Sequence, residues 1–147
     1  MSKISVDEFT QRLEALYLSQ GGPGLPRRRL DRDILFGSIV LPLAADRTYT
    51  EPEVNQALRA WSSGIGQTID LDYVSLRRYL VDEGYLVRDP AGTTYCVGTK
   101  VIAERFETAV GALDPATLIA AAQERRQQRK RRYQEDAHLP SHLEEED

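Results

Sequence analysis

The residues of this chain best suited to chemistry are arginines, and the chemistry they suit is anion recognition. Arg77 and Arg78 stand beside Ser75 in the run LDYVSLRRYLVDEG, residues 71–84. A guanidinium on the outer face of a helix can grip phosphate or hydrogen-bond both acceptors of a guanine edge. Arg88 follows in a β-rich run and could reach a minor groove or the backbone. Arg27, Arg28 and Arg29 form a second basic cluster, placed to meet flanking phosphates. Arg125, Arg126, Arg129, Lys130 and Arg132 fall in ERRQQRKRRY, residues 124–133, where six basic residues stand against one acid. An arginine-rich helix suits a DNA backbone or structured RNA.

Each cluster also has a plainer reading. Arg78 precedes Asp82 by one helical turn and could pair with it, as i,i+4 neighbours do. Arg27–Arg29 could be a solvated linker paired with Asp31 and Asp33. Arg88 could be a strand-edge charge that limits aggregation. The C-terminal arm could be a solvated, frayed helix that aids solubility.

Covalent and metal chemistry find little support. The two histidines, His138 and His142, lie in a polar C-terminal segment without a strong third ligand. Cys96 sits in a β-rich run and reads as a buried structural thiol. GIGQTID, residues 64–70, lacks the lysine of a phosphate loop. Glu51, Glu53, Asp70 and Asp72 are explained as caps and first-turn acids favoured by the helix dipole. No catalytic residue, no metal site and no cofactor is expected. Trp61, Tyr49, Tyr79 and Tyr85 could line a small-molecule pocket, but their spacing is that of packing residues; Tyr79 alone lies off the inward stripe.

The arginines need elements to hold them. Asp72 is a good N-cap. Tyr73, Leu76 and Leu80 recur at helical spacing and make an inward stripe, which leaves Ser75, Arg78 and Asp82 outward with Arg77 beside them. Gly84 supplies the left-handed stop. YLVRD and TTYCV then flank DPAG, whose Pro90 and Gly92 favour a turn. A short helix feeding a hairpin is the recognition-helix-and-wing half of a winged helix-turn-helix. Upstream, Ser5 and Glu8 form a capping box before a helix over residues 6–19 carrying Phe9, Leu13, Leu16 and Tyr17. QGGPGLP is a break. Residues 31–41 read as the first helix of the winged unit and RTYT as a short strand. Thr50, Pro52 and Glu53 open a helix over residues 51–62, with Val54, Leu58 and Trp61 inward. After the hairpin, Val101, Ile102, Phe106, Val110 and Leu113 predict a helix over residues 99–112. Asp114 and Pro115 begin a last one, running to about Glu135.

Composition agrees with a globular domain. The chain has 147 residues, 41% hydrophobic and 29% charged, with net charge −4, which suits one domain with helical extensions. No apolar run approaches membrane-spanning length. The N-terminal stretch lacks the apolar core of a secretory signal, and one cysteine fits a reducing cytoplasm. Charge is uneven. Residues 25–97 hold nine Arg against ten Asp or Glu, whereas the basic arm precedes an acidic HLEEED. That acidic end could fold back on the arm and compete with phosphate.

Three blocks carry a resemblance: the proline-basic run Pro26–Arg29, YTEPEVN from Tyr49 to Asn55, and LRRYLVDEGYLVRD from Leu76 to Asp89. Together they resemble a prokaryotic domain-of-unknown-function family whose members occur alone or fused behind ArsR-type helix-turn-helix regulators. The resemblance implies a winged-helix-like domain and a link to transcriptional control, and no reaction.

The expectation is therefore an α+β, mainly helical protein. Residues 1–24 form an N-terminal amphipathic helix and linker, 25–97 a winged-helix domain, 98–137 two C-terminal helices with the basic arm, and 138–147 an acidic tail. The expected function is non-enzymatic nucleic-acid binding, DNA ahead of RNA, as a transcriptional regulator. The other reading is a protein-docking module in a larger, even ribonucleoprotein, assembly. No membrane partner is expected; the C-terminal helices could form a homodimer.

Overall fold

The computed structural model describes residues 2–19 and 23–146, with side chains beyond residue 137 left undescribed. It is mainly helical with one small antiparallel sheet. Helix α1 spans Val6–Glu14 and runs into a π-helical turn, Ala15–Ser19. Then come α2 (Arg29–Val40), β1 (Tyr49–Thr50), α3 (Glu51–Ser63), a 3-10 turn (Ile65–Thr68), α4 (Tyr73–Asp82), β2 (Leu86–Arg88), β3 (Thr94–Val97), α5 (Thr99–Arg105), a second 3-10 turn (Thr108–Ala112) and α6 (Pro115–Glu146).

The caps are those their residue types dictate. Ser5 accepts the Glu8 N–H at 3.1 Å. Thr50 and Glu53 close a full capping box. Asp72 accepts the Ser75 N–H at 2.8 Å. Gly84 ends α4 at φ +83°, where the left-handed backbone favours glycine.

The sheet order is β1-β3-β2. Tyr49 pairs with Tyr95, Leu86 with Val97, Val87 with Cys96 and Arg88 with Tyr95. Alternation sends Tyr49, Leu86, Tyr95 and Val97 into the core and leaves Val87 outside. Cys96, expected to be buried, is on that outer face and only partly covered. Helices α2, α3 and α4 with this hairpin sheet are compatible with a winged helix-turn-helix.

The core unites Phe9 and Leu13 of α1 with Ile34, Leu35 and Phe36 of α2, Leu58 of α3, Leu76 and Leu80 of α4, and Tyr85. Helix α1 is thus built into the domain. In the π-helical turn that follows it, the Tyr17 phenol accepts the indole N–H of Trp61 at 3.0 Å and lies 2.6 Å from the Ser38 hydroxyl. Arg12 binds Asp31 at 2.6 Å.

The helix expected over residues 99–112 does not form as one piece. It stops at Arg105, and Phe106 turns extended to bridge Ile4 in parallel. The Ile4 N–H donates to the Arg105 carbonyl at 2.8 Å, and the Glu107 N–H donates to the Ile4 carbonyl at 2.9 Å. Phe106 thereby enters the core, edge-on to Phe9 at 6.0 Å. The spacing of Val101, Ile102, Phe106 and Val110 suits one helix, and pairing with Ile4 splits it.

The last helix is longer than expected. It continues past Glu135 to Glu146, 32 residues in all, or about 48 Å. Ile119 and Ala122 are buried; from Gln123 to Ala137 every residue but the half-buried Arg126 is exposed. The acidic end, expected to be able to fold back on the arm, lies outside the described side chains. No helix among the described residues is long and apolar enough to cross a membrane.

Candidate nucleic-acid interface

The face in question is built by α4, the start of α3 and the β2–β3 hairpin, the candidate wing. Ser75, Arg77, Arg78 and Arg88 surround one depression of about 320 Å³, together with Val74 and Asp82. Helix α4 and the hairpin meet through a close backbone crossing. The Gly98 N–H donates to the Tyr85 carbonyl at 2.8 Å, and a Cβ on Gly98 would collide with the Gly84 carbonyl oxygen. This crossing fixes the angle between helix and wing. The turn is tied by Asp89, which accepts the Thr93 and Thr94 N–H groups at 2.7 and 2.9 Å. Those donors, Thr94 first, hold the Asp89 carboxyl below its usual pKa.

The candidate side chains differ in how free they are. Arg78 is exposed and has no ion pair among the described residues. The pairing with Asp82 that its spacing allows does not form. Arg77 is committed: it turns back to Asn55 of α3, which accepts its N–H, and lies 3.7 Å from Glu51. It is a clamp between α3 and α4, a role shared by Arg59, whose guanidinium donates to the Tyr73 hydroxyl at 2.8 Å. Arg77, expected beside the outward face, is held toward α3 because Asn55 and Glu51 on the neighbouring helix supply acceptors. Ser75 is tied to its own cap, its hydroxyl donating to Asp72 at 2.9 Å. Arg88 is exposed at the wing, 3.3 Å from the Gly92 carbonyl and 5.9 Å from the Tyr95 ring centre. Tyr95 donates to Glu51 at 2.9 Å, so the wing, α3 and Arg77 share one acid.

The other clusters lie apart. Arg27 and Arg28 are exposed beside a second depression of about 510 Å³, with Arg12 and Asp31 on its wall. Arg29 is occupied by Glu83 at 2.7 Å and Asp33 at 3.5 Å, fastening α2 to the end of α4. On α6, Arg125 and Arg126 lie 3.5 and 3.3 Å from Glu14 of α1, so the root of the arm is anchored. Arg129, Lys130 and Arg132 are exposed with no ion pair among the described residues. His138, His142 and the acidic tail lie outside the described side chains.

Two features escaped sequence reasoning. Val74 and Val87 are 50% and 51% exposed on α4 and the wing. Val74, Arg78 and Val81 follow helical spacing, so their shared face was available as a signal. The second feature is Asp33, buried among Tyr85, whose hydroxyl donates at 2.8 Å, Arg105 at 2.8 Å and Arg29. It joins α2, α5 and the start of β2. Nothing in one sequence announces such a meeting. Burial, then the Asp33 charge, pushes the Tyr85 hydroxyl well above its usual pKa.

The family model that matches this chain describes an uncharacterized protein conserved in bacteria (DUF2087) and covers residues 24–97. No curated protein and no solved structure matches the chain.

Proposed function

The chain belongs to that bacterial family, and from this premise we propose that it is a non-enzymatic DNA-binding protein whose α4 and wing form the reading face. The observation that carries the reading is Arg78: exposed, unpaired despite Asp82 one turn away, and opening onto the same depression as Arg88. A guanidinium left free keeps its full capacity for a guanine edge or a phosphate. Val74 beside it suits a thymine methyl. Arg129, Lys130 and Arg132 add phosphate affinity without sequence information. Arg27 and Arg28 would serve phosphates outside the groove. The resemblance to domains found behind ArsR-type regulators supports a role in transcription, and a lone cysteine fits a cytoplasmic site.

The second reading is a protein-docking module. Exposed Val74 and Val87 favour it, as do Asp82 and Glu51, which repel phosphate from the same face. Titrating duplex DNA and structured RNA across a salt series separates the two. Salt-dependent DNA binding that Arg78→Ala weakens supports α4 as reader. Binding that only Arg129→Ala/Lys130→Ala/Arg132→Ala weakens supports docking with a nonspecific tether. No binding at all overturns the nucleic-acid reading.

A further inference from the structure

Helix α6 changes character along one of its faces. Ile119 and Ala122 are buried against the domain, and Arg126, next on that side, is half-buried beside Glu14 of α1. The same spacing of three and four residues then brings Arg129, Lys130 and Tyr133 to this side. The face that packs on the domain at its root is thus continued by two cations and an aromatic ring, all exposed. Viewed down the axis, the ring falls between the two cations. Asp136 follows on that side and closes the strip.

Tyr133 sets this strip apart from a solvated arm. It is 79% exposed and lies well past Ala122, the last buried residue of the helix among those described. Elsewhere the chain covers its tyrosine faces with arginine. Guanidinium groups lie over the rings of Tyr49, Tyr73, Tyr85 and Tyr95 at 4.6, 4.3, 5.6 and 5.9 Å. Tyr133 follows Arg129 and Lys130 by one turn, yet no guanidinium or ring lies against it among the described residues. Arg129 and Lys130 have no ion pair among those residues either. An open ring between unpaired cations offers the two contacts that an unpaired strand takes, phosphate on the cations and a base on the ring face. A duplex offers phosphates but keeps its bases stacked inside, so it leaves the ring unused.

We propose that α6 beyond Arg126 is a binding site for single-stranded nucleic acid, with one base stacked on Tyr133 and flanking phosphates held by Arg129 and Lys130. This rests on the reading of the arm as a phosphate-binding surface and is independent of α4 as the duplex reader. The site has little base preference, because every base has a π-face. The two faces divide the work, α4 taking duplex and α6 an unpaired stretch.

The test titrates the full chain with a mixed-sequence single strand of about 16 nucleotides, and with its duplex, across a salt series. Tyr133→Ala should weaken single-strand binding about 5- to 160-fold, as the loss of one stacked base does, and leave duplex binding unchanged. Tyr133→Phe should bind as the wild type does, because the ring and not the hydroxyl makes the contact. Arg129→Gln/Lys130→Gln should flatten the single-strand salt slope by about 1.4, or about 0.7 for each phosphate released. Arg78→Ala should leave single-strand binding intact. A wild type that binds no single strand overturns the proposal. So does a Tyr133→Ala variant that binds the single strand normally, or one that loses duplex binding to the same extent. A loss in Tyr133→Phe equal to that in Tyr133→Ala overturns it as well. Duplex binding in Arg78→Ala reports on α4 alone, so the two readings fail separately.

Discussion

Trp61 donates its indole N–H to the phenol oxygen of Tyr17 at 3.0 Å, and Tyr17 lies 2.6 Å from Ser38. This buried chain ties α1 to α3 and α2, across the boundary at which the family match begins. Tyr17→Phe leaves the Trp61 N–H without an acceptor, which costs about 1–3 kcal/mol. The chain has one tryptophan, so its emission reports this site directly. A lowered Tm with altered emission is the expected outcome; an unchanged Tm would mean that α1 docks through Phe9 and Leu13 alone.

The same phenol sets an alkaline limit. Burial raises the Tyr17 pKa from 10.0 to about 12, outweighing its two hydrogen bonds. A folded pKa above the unfolded one means stability complete below about 10 and lost as pH rises toward about 12. Alkaline unfolding should therefore be less steep across that window in Tyr17→Phe than in the wild type. Equal slopes would assign the loss to other groups, Tyr85 first.

Arg77 and Arg78 are neighbours in different settings, the first paired with Asn55 and Glu51 and the second exposed with no ion pair among the described residues. Arg78→Ala should weaken DNA binding by about 1–3 kcal/mol, roughly 5- to 160-fold, with Tm unchanged. Arg77→Ala should lower stability by about 1 kcal/mol by removing the Asn55 and Glu51 contacts. Reciprocal results would place Arg77, not Arg78, on the DNA.

Asp33 is a charge held in the core by Tyr85 and Arg105. Asp33→Ala leaves Arg105 without its acceptor and should cost about 3–5 kcal/mol. Denaturant unfolding measures this, and a loss under about 1 kcal/mol would show that solvent replaces the partner.

Gly98→Ala should disturb the wing more than its size suggests, because the added carbon meets the Gly84 carbonyl. Hydrogen exchange at the β2–β3 amides should rise while that of α1 and α2 does not.

Local chemistry made much of this fold legible. Ser5, Thr50 and Asp72 cap where their side chains permit, Gly84 stops α4, and the hairpin follows from β-rich runs around Pro90 and Gly92. What stayed hidden depends on residues distant in the chain. Phe106 leaves its helix because Ile4 is waiting; Arg77 turns inward because Asn55 is on the next helix; Asp33 gathers partners from three elements. The face of Arg78 was readable from spacing, but its freedom from Asp82 was not, since both pairing and solvation satisfy that spacing.

The parallel bridge between Ile4 and Phe106 has a mechanical meaning. A pull along the chain from Ile4 loads the hydrogen bonds to Arg105 and Glu107 side by side before α1 can peel away. A load applied there passes first to α5, which follows β3 directly, so the N-terminal segment and the hairpin share one mechanical path.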